Sequence, residues 1–334
     1  MPDSVRIGIV GLGRLGRRHA ENLAFRVPGA RLVAAASLIE AERAWARASL
    51  GGAAAYDGLD ELLAHPGLDA VWLVTPTSLH ADQVVASIEA GKHVFCEKPL
   101  ALDPADCNRA VAAAADHPGQ VVMVGFMRRF DPAYREAKRR IDAGDLGEVF
   151  AIRCVSEDPV DPEGFFVRFA PTSGGVFLDC CIHDIDLVRW MLDGAEASSV
   201  TAAGSRIMYP ALGECGDVDT GCATVAFKGG QVATFYVSRT SHRGYEASMT
   251  IVGVKGAIEL GKAMPQIPLT LESGGRRSVV GQVDFFERFG EAFLREAHAF
   301  ADAVRRGGPT LLSLEDAREA TRLACAMRAA LKTG

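Results

Sequence analysis

The segment Gly11-Leu12-Gly13-Arg14-Leu15-Gly16 constrains this chain more than any other feature. It follows an apolar run, RIGIVGLG (6–13), and opens a stretch with helical spacing, which makes it the turn between a β-strand and a helix. Each glycine then has a reason. Gly11 permits the tight turn, Gly13 lets the backbone approach a pyrophosphate, and Gly16 lets the helix pack on the strand, while the helix N-terminus attracts phosphate charge. Alone, the spacing would be a weak signal. Its place at the head of a regular strand–helix alternation points to a dinucleotide held by Gly11, Gly13, Arg14, Leu15 and Gly16.

That alternation continues through RLVAAAS (31–37), DAVWLVTP (69–76), HVFCEKP (93–99) and VVMVGFMRR (121–129). Near-continuous apolar runs suit strands buried on both faces of a parallel sheet, and amphipathic stretches such as 79–90 and 103–116 supply the covering helices. Asp103 and Pro104 form a helix start. Beyond Gly147 the texture changes to β-like runs at 149–156, 199–208, 219–227, 231–238, 247–254 and 257–260, with glycine turns that indicate a mostly antiparallel sheet. One helix, about 180–192, interrupts them, and helices at about 287–306 and 314–331 close the chain.

At 334 residues the chain exceeds one typical core. The expected division is a dinucleotide-binding Rossmann domain over 1–129 and an α+β domain over 130–334 for substrate binding and oligomerisation, with the last helices free to pack back on the first domain. A net charge of −6 without a concentrated basic surface argues against a nucleic-acid partner. No apolar run reaches the roughly 18 residues of a membrane span, and residues 1–10 run directly into a strand without a secretion signal, so the expected location is the cytoplasm. The eight cysteines include no CxxC pair, and no metal site is expected.

The second strand of such a fold usually ends in an acid for the adenosine ribose, about 20 residues after the glycine loop. Ser37 stands there. Serine can bond a ribose and does not repel a 2′-phosphate, but no arginine follows directly and Glu40 and Glu42 are close. NAD is the expected cofactor, with NADP left open.

Four segments, T-P-T-S-L-H (75–80), C-E-K-P-L (96–100), G-F-M-R-R-F-D (125–131) and S-G-G-V-F-L-D-C-C-I-H-D-I-D-L-V-R-W (173–190), together resemble the glucose-fructose oxidoreductase, inositol dehydrogenase and MocA superfamily over nearly the whole chain. Within it, the M-R-R-F-D segment and the helix carrying D-x-x-x-H-D most resemble myo-inositol 2-dehydrogenases. The resemblance implies a Rossmann domain followed by an open-faced, predominantly antiparallel sheet that builds a dimer or tetramer. It also implies hydride transfer from a secondary alcohol of a cyclic polyol to NAD, with myo-inositol going to 2-keto-myo-inositol. An aldose, an anhydrosugar or scyllo-inositol are the alternatives inside the superfamily, and a non-catalytic nucleotide-sensing regulator is the alternative outside it.

Alcohol oxidation needs a hydride acceptor, a base and a positive group beside the developing alkoxide. Asp179 and His183, four apart at a helix start, can share one face, the carboxylate orienting an imidazole base. The same pair would also serve as a helix cap and a stabilising contact. Lys98 ends the fourth strand-like run, where ligands of open sheets gather, and can place an ammonium on the reacting oxygen. By resemblance Thr75, Pro76 and His80 line the nicotinamide side, and Glu97 and Lys98 help to place the cofactor. Arg128, Asp158 and Tyr245 join Lys98, Asp179 and His183 as candidate substrate ligands, whereas Arg129 and Asp131 read equally well as an ion pair at the domain junction. His19, among others, shows no ligand spacing and reads as structural.

Overall fold

The computed structural model describes residues 4–261, 270–273, 276–279 and 284–333, and the chain divides into two compact units. Residues 1–130 with 291–321 form the first, and residues 131–290 with 322–334 the second.

In the first unit the strands are β1 (Val5–Val10), β2 (Ala30–Ala36), β3 (Ala54–Tyr56), β4 (Ala70–Leu73), β5 (His93–Glu97) and β6 (Val122–Gly125). They make one sheet in the order β3-β2-β1-β4-β5-β6, every pairing parallel. Helices α1 (Arg14–Phe25), α2 (Glu40–Ser49), α3 (Leu59–Leu63), α4 (His80–Glu89) and α5 (Pro104–Asp116) connect them. Asp103 caps α5 by accepting the Ala105 N–H at 2.7 Å, with Pro104 in the first turn. Ile7, Ile9, Val71, Trp72, Val94 and Phe95 are fully buried, as strands covered on both faces require. Because all six strands run the same way, the segments that follow them emerge at one edge, where open α/β sheets bind their ligands.

The second unit begins with α6 (Pro132–Asp142) and β7 (Val149–Pro159), followed by α7 (Phe165–Ser173), α8 (Val176–Asp179) and α9 (Ile182–Met191). After these come β8 (Ala197–Ser205), β9 (Thr220–Phe227), β10 (Val232–Ser241), β11 (Glu246–Gly253), β12 (Gly256–Leu260) and a hairpin of β13 (Thr270–Ser273) and β14 (Arg276–Val279). The chain ends with α10 (Phe285–Arg306), α11 (Leu314–Ala329) and β15 (Leu331–Thr333). The large sheet has the order β12-β11-β7-β10-β9-β8-β15. Its pairings are mostly antiparallel, but β7 with β10 and β8 with β15 are parallel, so the sheet is mixed. The expected helix over 314–331 gives way at Ala330, and its last residues pair with β8 instead. Residues 291–321, which include most of α10, belong to the first unit: Phe293 lies 5.5 Å from the His19 ring and Phe300 5.5 Å from Trp72.

Candidate active site

The glycine loop carries the geometry that its spacing demands. Gly11 has φ +92°, and a Cβ there would fall 2.4 Å from the Val74 carbonyl oxygen, so no side chain fits. Gly16 is equally closed, with an added Cβ 2.0 Å from the Gly11 oxygen. Gly13 is the opposite case: a Cβ built there meets nothing within 4 Å. The backbone at Gly13 is therefore open to an approaching phosphate. It forms the N-cap of α1 with no side chain capping it and no acidic residue in the first turn, which leaves its amides and positive dipole end facing outward. Gly13 lines a cleft of about 460 Å³ together with Leu12, Arg14, Arg17, Arg18, Glu21 and Glu42. These features fit the pyrophosphate of a dinucleotide.

Ser37 follows β2 and is buried. Its hydroxyl donates to Glu42 Oε2 at 2.6 Å and accepts from the Ile39 N–H at 3.1 Å. No arginine follows Ser37 directly in the sequence, yet one returns to it in the fold. Arg43 donates to the Ser37 carbonyl at 2.6 Å, because the first turn of α2 carries it back over the strand end. That guanidinium is also paired with Glu40 at 2.7 Å and Asp57 at 3.1 Å.

At the end of β4, Thr75 bonds Gln83 and Pro76 is exposed. His80 lies deeper, with Nδ1 2.7 Å from the Pro99 oxygen and Nε2 2.8 Å from the Thr75 oxygen. Burial pushes its pKa below the usual histidine value, against the two carbonyls, which raise it. His80 thus ties the β4 and β5 exits together. Glu97, the last residue of β5, is buried, with Oε1 2.8 Å from His19 Nε2 and Oε2 accepting the Lys98 N–H at 3.1 Å. Adjacent strand residues face opposite ways, so Glu97 turns into the protein while Lys98 sits half-buried at the strand exit. Arg128 is buried in the short 3₁₀ turn after β6. Arg129 pairs with Asp316 at 3.4 Å, and Asp131 caps α6 and pairs with Arg288 at 2.7 Å. The ion pairs of Arg129 and Asp131 are therefore each made inside one unit.

In the second unit, Asp179 and His183 do not share one helix. Asp179 ends α8, and His183 lies in the first turn of α9, beyond a break at Cys180 and Cys181. Upstream, α8 has its own start. Gly174 and Gly175 both have positive φ, and Asp217 Oδ1 accepts the Val176 N–H at 2.8 Å, which starts a separate turn early. The Cys181 N–H then reaches back five residues to the Val176 oxygen, out of α-helical register. Asp179 bonds Arg239 Nη2 at 2.7 Å through Oδ2, a partner that the sequence did not suggest. Arg239 is fully buried, stands at the end of β10 and also faces Asp217 at 3.5 Å. Asp158, at the end of β7, is 3.4 Å from the Cys180 sulfur, so the parallel pair β7 and β10 delivers Asp158 and Arg239 to the same turn. His183 is buried, its neighbour Asp184 accepts from Ser156 at 2.6 Å, and Tyr245 is buried edge-on to Phe289.

Two participants escaped sequence reasoning, His19 against Glu97 and Arg239 against Asp179, while Glu42, noted as close to Ser37, proves to be its hydrogen-bond partner. Only Glu42, an acid in the first turn of the helix after β2, left a local sign.

A family model described as an oxidoreductase family with an NAD-binding Rossmann fold matches residues 5–126, and one described as the GFO/IDH/MocA C-terminal domain matches residues 134–259. Among curated proteins, the chain is 38% identical to a scyllo-inositol 2-dehydrogenase (NAD(+)) of Bacillus subtilis, over 95% of this chain and 91% of that protein. It is 34% identical to a myo-inositol 2-dehydrogenase of Thermotoga maritima, over 98% and 96%. Among solved structures, scyllo-inositol dehydrogenase from Lactobacillus casei with bound NAD(H) and scyllo-inositol superposes with a TM-score of 0.93 at 36% identity, over 98% of this chain and 97% of that one.

Proposed function

We propose, from the premise that the chain belongs to the GFO/IDH/MocA oxidoreductase family, that this NAD-dependent dehydrogenase oxidises the 2-hydroxyl of an inositol to the ketone. The observation that carries the reading is the pairing of an open Gly13 cradle with Lys98 at the exit of β5, on the edge of the sheet where ligands of this architecture gather. NAD supplies a hydride acceptor when bound. In our assignment the Lys98 ammonium lowers the pKa of the reacting hydroxyl and stabilises the alkoxide, and His183 takes the proton. Asp179, held by Arg239, is assigned the carboxylate that orients the base. Buried Arg128 and half-buried Asp158 are assigned to the other ring hydroxyls.

The sequence segments favour myo-inositol. A second reading, scyllo-inositol, has its own support in the 38% identity to the Bacillus subtilis enzyme. The two polyols are epimers at the reacting carbon and give the same ketone, so product analysis does not separate them. Comparing kcat/KM for each with NAD does. A higher value for myo-inositol is expected, a higher value for the scyllo epimer establishes the second reading, and turnover of neither, with an aldose oxidised instead, rejects both.

A further inference from the structure

We propose that Glu42, on the first turn of α2, replaces the acid missing from the end of β2 and sets the preference for a dinucleotide without a 2′-phosphate. The inference rests on the NAD reading above and adds the residue that enforces it.

In this fold the adenosine ribose is met by a carboxylate at the end of the second strand, which accepts from the ribose hydroxyls and repels a 2′-phosphate. Here β2 ends at Ala36 and is followed by Ser37. A serine hydroxyl has one proton, and that of Ser37 is donated to Glu42 Oε2 at 2.6 Å, while its oxygen already accepts from the Ile39 N–H. Ser37 is therefore a support for Glu42 rather than the ribose ligand. The carboxylate has capacity for further donors, and Glu42 lines the same cleft as Gly13 and Arg14. One cleft thus holds the backbone that suits a pyrophosphate and the acid that suits a ribose diol. Of the two acids that begin α2, Glu40 is spent on Arg43 and Arg47, which leaves Glu42 as the one held at the strand end.

The surroundings also show what a 2′-phosphate would need. Arg17 shares the cleft with Glu42, stacked 4.8 Å over Trp45, and Arg43 touches the Ser37 carbonyl but is flanked by Glu40 and Asp57. Cations are present on both sides of Glu42. With the Glu42 charge in place, a phosphate dianion beside it meets repulsion at short range in a partly desolvated site. Without it, Arg14, Arg17 and Arg18 face Glu21 as the remaining carboxylate of the cleft.

The test is calorimetric and needs no turnover. Dissociation constants of NADH and NADPH are measured for the full chain as wild type, Glu42→Gln and Ser37→Ala, with melting temperatures alongside. Wild type is expected to bind NADH more tightly. Glu42→Gln should narrow the NADPH-to-NADH ratio by on the order of 10- to 100-fold, which is about 1.4 to 2.8 kcal/mol. Ser37→Ala, which releases the carboxylate without removing it, should move the ratio the same way by less. Adenosine 2′,5′-bisphosphate against 5′-AMP should repeat the pattern with no nicotinamide present. An unchanged ratio in a folded Glu42→Gln protein overturns the role of Glu42 and leaves the NAD reading standing. Failure of the wild type to bind either dinucleotide, or a wild-type preference for NADPH, overturns both.

Discussion

Replacing Arg239 by methionine tests the ion pair that fixes Asp179. Arg239 has no exposed surface, its guanidinium lies 5.1 Å over the Phe166 ring, and it meets Asp179 at 2.7 Å and Asp217 at 3.5 Å. Burial alone would lower its pKa, but the neighbouring Cys180, Asp179 and Asp217 raise it further, so the group is a cation at every working pH. Methionine fills much of the volume and removes the charge. The cost then falls unequally on the two carboxylates. Asp179 is 20% exposed and can recruit water, whereas Asp217, at 4%, keeps the Val176 N–H but loses its cation. Stranding a buried charge costs about 3 to 5 kcal/mol. For a unit of this size that amounts to a fall of about 6 to 20 °C in melting temperature. Adding Asp217→Asn removes the stranded charge and should recover part of the loss, a coupling that a double-mutant cycle reads directly. Denaturant and thermal unfolding of the coenzyme-free protein measure these quantities. A loss under about 1 kcal/mol for Arg239→Met, the range of an exposed pair, would refute the burial argument.

Lys98→Met should lower kcat on the order of a hundredfold, as loss of a donor to a developing oxyanion does, while the NAD dissociation constant stays within about twofold. Near-wild-type turnover with a lowered melting temperature would instead make Lys98 structural. Glu296 is fully buried on α10, and burial, reinforced by the nearby Glu97 charge, holds its carboxyl well above the ordinary value of 4.5. A raised folded pKa gives stability that is complete below the unfolded value and is lost as pH climbs toward the folded one. Glu296→Gln, which mimics the neutral acid, should therefore gain stability relative to wild type between pH 5 and pH 8, and a difference independent of pH in urea unfolding would rule this out.

The two groups of site residues differ in how legible they were, and the difference follows from range. The glycine loop could be read because its spacing is a local signature: a Cβ at Gly16 meets Gly11 within the loop and one at Gly13 meets nothing, and only Gly11 answers to a distant segment, Val74 just past the end of β4. Lys98 could be located because it directly follows the apolar run that forms β5, and it lies half-buried at that strand's exit. His19 could not. Its partner Glu97 is 78 residues away and is reached because β4 lies next to β1 and β5 next to β4 in the sheet, an order that apolar periodicity does not encode. With no carboxylate in local reach, a histidine on the inward face of α1 reads as core.

Asp179 and His183 show the converse error. A four-residue spacing reads as one helical face, and that inference assumes an unbroken helix. The start of α8 is set by Asp217, 41 residues from the Val176 amide it caps, after two glycines of positive φ, and the break comes where the Cys181 N–H reaches back to the Val176 oxygen. The same long-range element supplies the second carboxylate to Arg239, which holds Asp179. The cap on α8 and the hold on Asp179 thus share one residue, Asp217 in the loop before β9. A variant that removes the Asp217 carboxylate should disturb both α8 and Asp179, although Asp217 is not among the residues assigned to the chemistry.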